Sequence, residues 1–160
     1  MSPGIRTATE EDLDAILSID RAFSPVFAQP ASYEKLLGPS GIILLATLET
    51  AVCGFAACSR VLDEATLLNL VVVPAQRSGG VASGLLAALC ERLSAAGVAR
   101  VLLEVREGNL KAQRLYLAAG FKRDGQRKNY YAGQKGAAAE TAVLMSLQLT
   151  RQQEIPNAGA

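Results

Sequence analysis

Histidine and tryptophan are absent from this chain, and cysteine occurs only three times. The missing imidazole is the most restrictive of these. Without it there is no Ser-His-Asp or Cys-His nucleophile and no histidine-containing zinc site. Acid–base work therefore falls to carboxylates, Tyr, Cys or Lys, and no metal is implied. Cys53, Cys58 and Cys90 are odd in number, lack a Cys-x-x-Cys pair and stand among apolar neighbours, which reads as buried, reduced thiols. An excess of one charge is missing too: 16 Lys and Arg against 15 Asp and Glu leave a formal net charge of +1. A nucleic-acid footprint needs clustered cations, so direct nucleic-acid binding is not expected. No apolar run approaches the roughly 18–20 residues that cross a bilayer. The opening Met-Ser-Pro-Gly-Ile-Arg-Thr carries no apolar signal core. These absences point to a soluble cytoplasmic protein without a membrane partner, monomeric or dimeric.

What is present is apolar patterning: half of the 160 residues are hydrophobic. That length suits one domain with a substantial core, expected over 1–150, with a polar, flexible tail at 151–160. A short strand at 5–8 leads to Thr9, an N-cap with Asp12 three residues on, and a helix whose stripe is Leu13, Ile16 and Leu17. A Pro-containing loop at 23–32 and a short helix at 33–37 follow. Strands are expected at 42–48, 52–61 and 66–73, joined by turns at 49–51 and 63–65 into an antiparallel meander. Leu85, Leu86, Leu89, Cys90 and Leu93 then mark a helix from Val81 that closes at Gly97. A strand at 101–105, a helix at 110–119 and a strand pair at 121–131 and 141–149 complete the order. The strand–helix–strand unit at 66–105 is expected as a right-handed crossover between parallel strands. The fold class is thus α/β with a mixed sheet, about seven strands and four helices.

The junction Leu-Val-Val-Val-Pro-Ala-Gln-Arg-Ser-Gly-Gly-Val-Ala, ending at Ala82, carries the strongest chemical signal. An apolar strand passes through a basic, glycine-rich turn straight into a helix, which aims backbone N–H groups and a helix dipole at one spot suited to a diphosphate. The glycines lack the spacing of a dinucleotide fingerprint, and no Gly-Lys-Ser/Thr marks a P-loop. The cations at Lys122, Arg123, Arg127 and Lys128 share a strand with Asp124 and read as a solvated face.

Glu104 lies in Val-Leu-Leu-Glu-Val, a strand otherwise fit for full burial. Burial would raise its pKa toward what a general base needs; the alternative is a structural ion pair with Arg77 or Arg106. Asn109 suits a helix N-cap. Tyr116, seven residues on, shares its helical face and is placed either to meet a ligand or to pack in the core.

The spacing Arg77-x-x-Gly80-x-Ala82 resembles the acetyl-CoA signature of GNAT acetyltransferases, and the order of elements is similar to that fold from end to end. Leu-Glu-Val-Arg-x-x-Asn followed by Leu-Tyr-x-x-x-Gly-Phe resembles the ribosomal-protein N-terminal alanine acetyltransferase (RimI-like) branch. So do the segment from Leu62 to Leu70 and Arg-Lys-Asn-Tyr-Tyr ending at Tyr131. Phe23-Ser-Pro-Val-Phe27 stands where that branch usually has Phe-Pro-Trp, and the loop at 132–139 is small and basic where it tends to be acidic.

The resemblance implies acetyl-CoA as co-substrate, Glu104 as base, taking a proton from the amine through water, and Tyr116 as acid. It places the backbone of Leu70, Val71 and Val72, the turn Arg77, Ser78, Gly79, Gly80, Val81 and Ala82, and Asn109 against acetyl-CoA. Asp63, Glu64, Tyr130 and Tyr131 are expected to line the amine's approach. The acceptor implied is a protein N-terminus; a small amine (polyamine, amino acid or aminoglycoside) and a non-catalytic CoA-binding module are the alternatives, the last opposed by the presence of both Glu104 and Tyr116.

Overall fold

The computed structural model describes residues 2–24, 30–131 and 140–149, with the backbone alone for 129–131. The expected loop positions 25–29 and 132–139 and the tail from 150 lie outside the described residues. Seven strands form one sheet in the order β1-β2-β3-β4-β5-β7-β6. They are β1 (Gly4–Thr7), β2 (Gly41–Leu48), β3 (Ala51–Val61), β4 (Glu64–Val72), β5 (Arg100–Arg106), β6 (Lys122–Tyr131) and β7 (Glu140–Gln148). The helices are α1 (Leu13–Phe23), α2 (Pro30–Leu37), α3 (Val81–Ala95) and α4 (Leu110–Ala118). As expected, β4 and β5 are parallel across the α3 crossover, and the other ladders are antiparallel.

Local chemistry sets the helix ends. The Thr9 N–H donates to Asp12 Oδ2 at 2.8 Å, and Arg6 binds the same carboxylate, holding Asp12 down to about 2. The capped segment opens as a short 3-10 turn (Glu10–Asp12) before α1 begins. α3 stops because Gly97, at φ +87°, takes the left-handed conformation that glycine adopts without a Cβ penalty.

Each face of the sheet carries its own core. α1 and α2 cover one face, where Ile16, Leu17, Tyr33 and Leu36 meet Ile43, Leu45, Phe55 and Val71. α3 covers the other, where Leu85, Leu86, Leu89 and Leu93 meet Val101, Leu103, Val105 and Met145. Each fully buried aliphatic side chain contributes about 1.5–3 kcal/mol. No helix among the described residues is long and apolar enough to cross a membrane.

The cysteines are unpaired, Cys53 and Cys58 buried and Cys90 partly so. Burial pushes the Cys58 thiol up to about 12 and Cys90 up to about 11, from 9.0. Because the folded values are raised, their contribution to stability is fully present below about pH 9 and is lost as pH rises toward 11–12. Calorimetry should therefore find Tm level from neutrality to about pH 9 and falling above it, with a shallower fall in Cys90→Ala.

Candidate active site

The sheet forks between β4 and β5. Their ladder runs from Glu64 opposite Arg100 to Leu67 opposite Leu103 and goes no further. Beyond it β4 continues on β3 alone and β5 on β7 alone. A bulge starts the fork: Ala57 faces Asn69 and Cys58 faces Leu67, so Leu68 is the extra residue. Bulges bend a strand and increase its twist, and they occur beside active sites for that reason. The side of residues 68–72 toward β5 consequently has no strand partner among the described residues. Leu70, Val71 and Val72 lie on that stretch of β4.

At the end of β4 the chain enters the glycine-rich turn. Arg77 Nε donates to the Val72 carbonyl at 2.9 Å, bracing the turn against the strand. Ser78 (φ +66°) and Gly80 (φ +83°) both take left-handed backbone, curling the turn into a concave row of amides. The first rung of α3 is Gly84 N–H to the Gly80 carbonyl, 2.9 Å, so the amides of Val81 and Ala82 have no intrahelical acceptor. A Cβ built on Gly80 would meet no atom within 4 Å, so open space stands above the turn. These amides, the dipole of α3 and that space fit a diphosphate. Ser78, Gly79, Gly80, Val81 and Ala82 line this turn, which stands at the end of the open β4 edge.

Glu104 is the first residue of β5 past the last β4–β5 pair. Its neighbours Val101, Leu103 and Val105 point into the α3 core, so alternation along the strand turns Glu104 toward the face of α1 and α2. The burial expected from its apolar neighbours is not found: its side chain is 31% exposed. The apolar side chains that suggested burial belong to the opposite face. Nor does it pair with Arg77 or Arg106. Arg127 of β6 reaches it, Nη1 to Oε1 at 3.4 Å, while Arg106 pairs with Glu140 at 3.5 Å. The cations of β6 are thus not simply a solvated face.

Asn109 caps α4, its Oδ1 accepting the Ala112 N–H at 3.1 Å. Gln113, buried and not singled out by the sequence, ties that helix to β5. Its Nε2 donates to the carbonyls of Arg106 (3.1 Å) and Glu107 (2.8 Å), and its Oε1 accepts from Arg123 at 3.0 Å. The helix so fixed carries Tyr116, which packs on the α3-side core with its ring 5.7 Å from Phe121. Burial pushes its phenol up to about 12, so it keeps its proton at neutral pH.

Of the expected acceptor residues, Asp63 and Glu64 lie away from the open part of the fork. β4 begins at Glu64, inside the stretch 63–65 expected as a turn, and this fixes Asp63 and Glu64 at the closed end of the fork. Glu64 lies 3.6 Å from Arg100, and the Asp63 carbonyl accepts the Ala99 N–H at 2.7 Å. Leu70 is roughly 20 Å along the strand at about 3.3 Å per residue. Tyr131 pairs with Glu140, beyond the other end of β5; the side chains of Tyr130 and Tyr131 lie outside the described residues.

Known proteins resemble this chain along most of its length. The Acetyltransferase (GNAT) family profile matches residues 10–121. The [ribosomal protein bS18]-alanine N-acetyltransferase of Haemophilus ducreyi is 40% identical over 148 residues, covering 91% of this chain and 99% of the relative. The protein so named from Salmonella typhimurium is 34% identical over 142 residues, covering 87% and 93%. The crystal structure of the ribosomal-protein-S18-alanine N-acetyltransferase from Escherichia coli superposes with a TM-score of 0.86 at 30% identity, covering 96% of this chain and 97% of that one. A likeness running through the whole chain, rather than through one motif, makes this protein a member of the GNAT acetyltransferase family, an N-acetyltransferase that draws its acetyl group from acetyl-CoA.

Proposed function

We propose that this enzyme acetylates a protein N-terminal α-amine of the ribosomal-protein alanine type, with Glu104 as base and Tyr116 as acid. The full-length likeness to relatives named for bS18-alanine acetylation supports the acceptor. The position of Glu104, one residue past the last β4–β5 pair, carries the mechanism.

Acetyl-CoA supplies the acetyl group as a thioester. Glu104 faces the α1–α2 side of the sheet, and Tyr116 packs on the α3 side. An amine is an ammonium at neutral pH, and Glu104, facing the α1–α2 side, takes a proton from it through water. The open-edge N–H groups of Leu70 and Val72 donate to the oxygen on which negative charge develops. On the α4 side Tyr116 holds the proton that a departing thiolate requires. The transfer is direct, without a covalent enzyme intermediate.

A thiol-release assay with acetyl-CoA across N-terminal Ala and Ser peptides, polyamines, amino acids and aminoglycosides tests the acceptor. The peptides should be the best substrates, by at least about tenfold in kcat/KM, equivalent to about 1.4 kcal/mol of transition-state discrimination. Turnover of the small amines with every peptide inert would assign the enzyme to small-molecule acetylation.

A further inference from the structure

Four polar side chains from three segments meet beneath the β4 edge. Asp20 of α1 and Tyr33 of α2 are fully buried, and the Tyr33 hydroxyl donates to Asp20 Oδ1 at 2.8 Å. Asn69, the residue after the β4 bulge, brings its Nδ2 within 3.1 Å of Asp20 Oδ1, 3.1 Å of Ser24 Oγ and 3.2 Å of the Tyr33 oxygen. Ser24, which ends α1, returns a longer contact of 3.4 Å to Asn69 Oδ1.

Well-packed apolar residues often serve stability as well as buried polar or ionic ones do. A satisfied polar network adds a single geometry. This one ties the end of α1 and the body of α2 to β4, whose edge toward β5 is open past Leu67. Both helices stand on the sheet face toward which Glu104 points.

We propose that Asp20, Tyr33 and Asn69 form a clasp of positioning residues that sets the α1–α2 wall against the β4 edge and so fixes where the acceptor amine enters. The inference rests on Glu104 as the amine's destination. It predicts a split: loosening the clasp weakens the amine and leaves acetyl-CoA, held by the turn at residues 77–82, untouched.

Tyr33→Phe is the cleanest probe, because it removes one oxygen and keeps the ring that packs edge-on against Phe55 at 5.6 Å. Its amine KM should rise about five- to a hundredfold, the range for a buried partner lost, while the acetyl-CoA Kd by calorimetry stays within about twofold. Asp20→Asn, which keeps an oxygen for both donors, should stay near the wild-type KM, and Asp20→Ala should behave as Tyr33→Phe. Each variant is assayed well below its own Tm, with whichever amine the wild type turns over fastest. Peptide inertness in the wild type then counts against the proposed acceptor and leaves the clasp under test. A folded Tyr33→Phe with unchanged amine KM, or one whose acetyl-CoA Kd weakens in step, overturns the clasp.

Discussion

Glu104→Gln is expected to bind acetyl-CoA as the wild type does and to lose about 10²- to 10⁴-fold in kcat, the usual contribution of a positioned general base. Gln keeps the length of the side chain and its place on β5, so the fork is undisturbed. The ion pair to Arg127 is partly exposed on both sides, and such pairs contribute only about 0–1 kcal/mol. Lost stability therefore cannot account for the drop. Arg127→Gln separates the two roles: if Glu104 matters only as the partner of Arg127, both variants should lose activity alike. We expect Arg127→Gln to lose less than about fivefold, because an exposed pair is weak. A loss below about threefold in Glu104→Gln would return that residue to a structural role, far under the range for acid–base catalysis.

Gly80→Asp is expected to abolish acetyl-CoA binding. A ligand at about 100 times its Kd stabilises the folded state by about 2.7 kcal/mol, roughly 5–10 °C in Tm for a chain of this size. In Gly80→Asp that shift should vanish, because the new carboxylate enters the open space where the amides and the α3 dipole favour a diphosphate. Gly80→Ala is the necessary comparison. Its Cβ meets nothing within 4 Å, so it bears only the strain of left-handed backbone at φ +83°. It should lower the basal Tm while keeping most of the acetyl-CoA shift. Equal loss in both variants would mean that backbone strain, rather than charge, disables the turn.

Legibility in the sequence followed locality. The Thr9–Asp12 cap, the helix stop at Gly97, the Asn109 cap and the strand–turn–helix at residues 70–82 are set by residues a few positions apart, and all were readable. Glu104 was readable as a position but not as an environment. A one-dimensional run of apolar neighbours cannot say which sheet face each serves, and Arg127 reaches it only across β7. The Leu68 bulge depends on registry with β3, so nothing local announced the fork. Asp63 and Glu64 were expected beside the amine because nothing local shows that β4 pairs with β5 at its start and opens only past Leu67. The clasp did leave a trace: Leu13, Ile16, Leu17 and Asp20 share one helical stripe, and a carboxylate continuing an apolar stripe signals a buried partner. Gln113 left no such sign, since its acceptors are backbone carbonyls.

Hydrogen exchange of the backbone amides with and without acetyl-CoA tests the central claim most directly, because it reads the fork residue by residue without needing an acceptor. Acetyl-CoA should slow exchange at Leu70, Val72 and residues 78–82 and leave Val71, whose N–H faces β3, and residues 64–67, where β4 already pairs with β5, unchanged. Protection confined to the α1–α2 face or to the β3–β4 turn, with Leu70, Val72 and residues 78–82 unaffected, would contradict it.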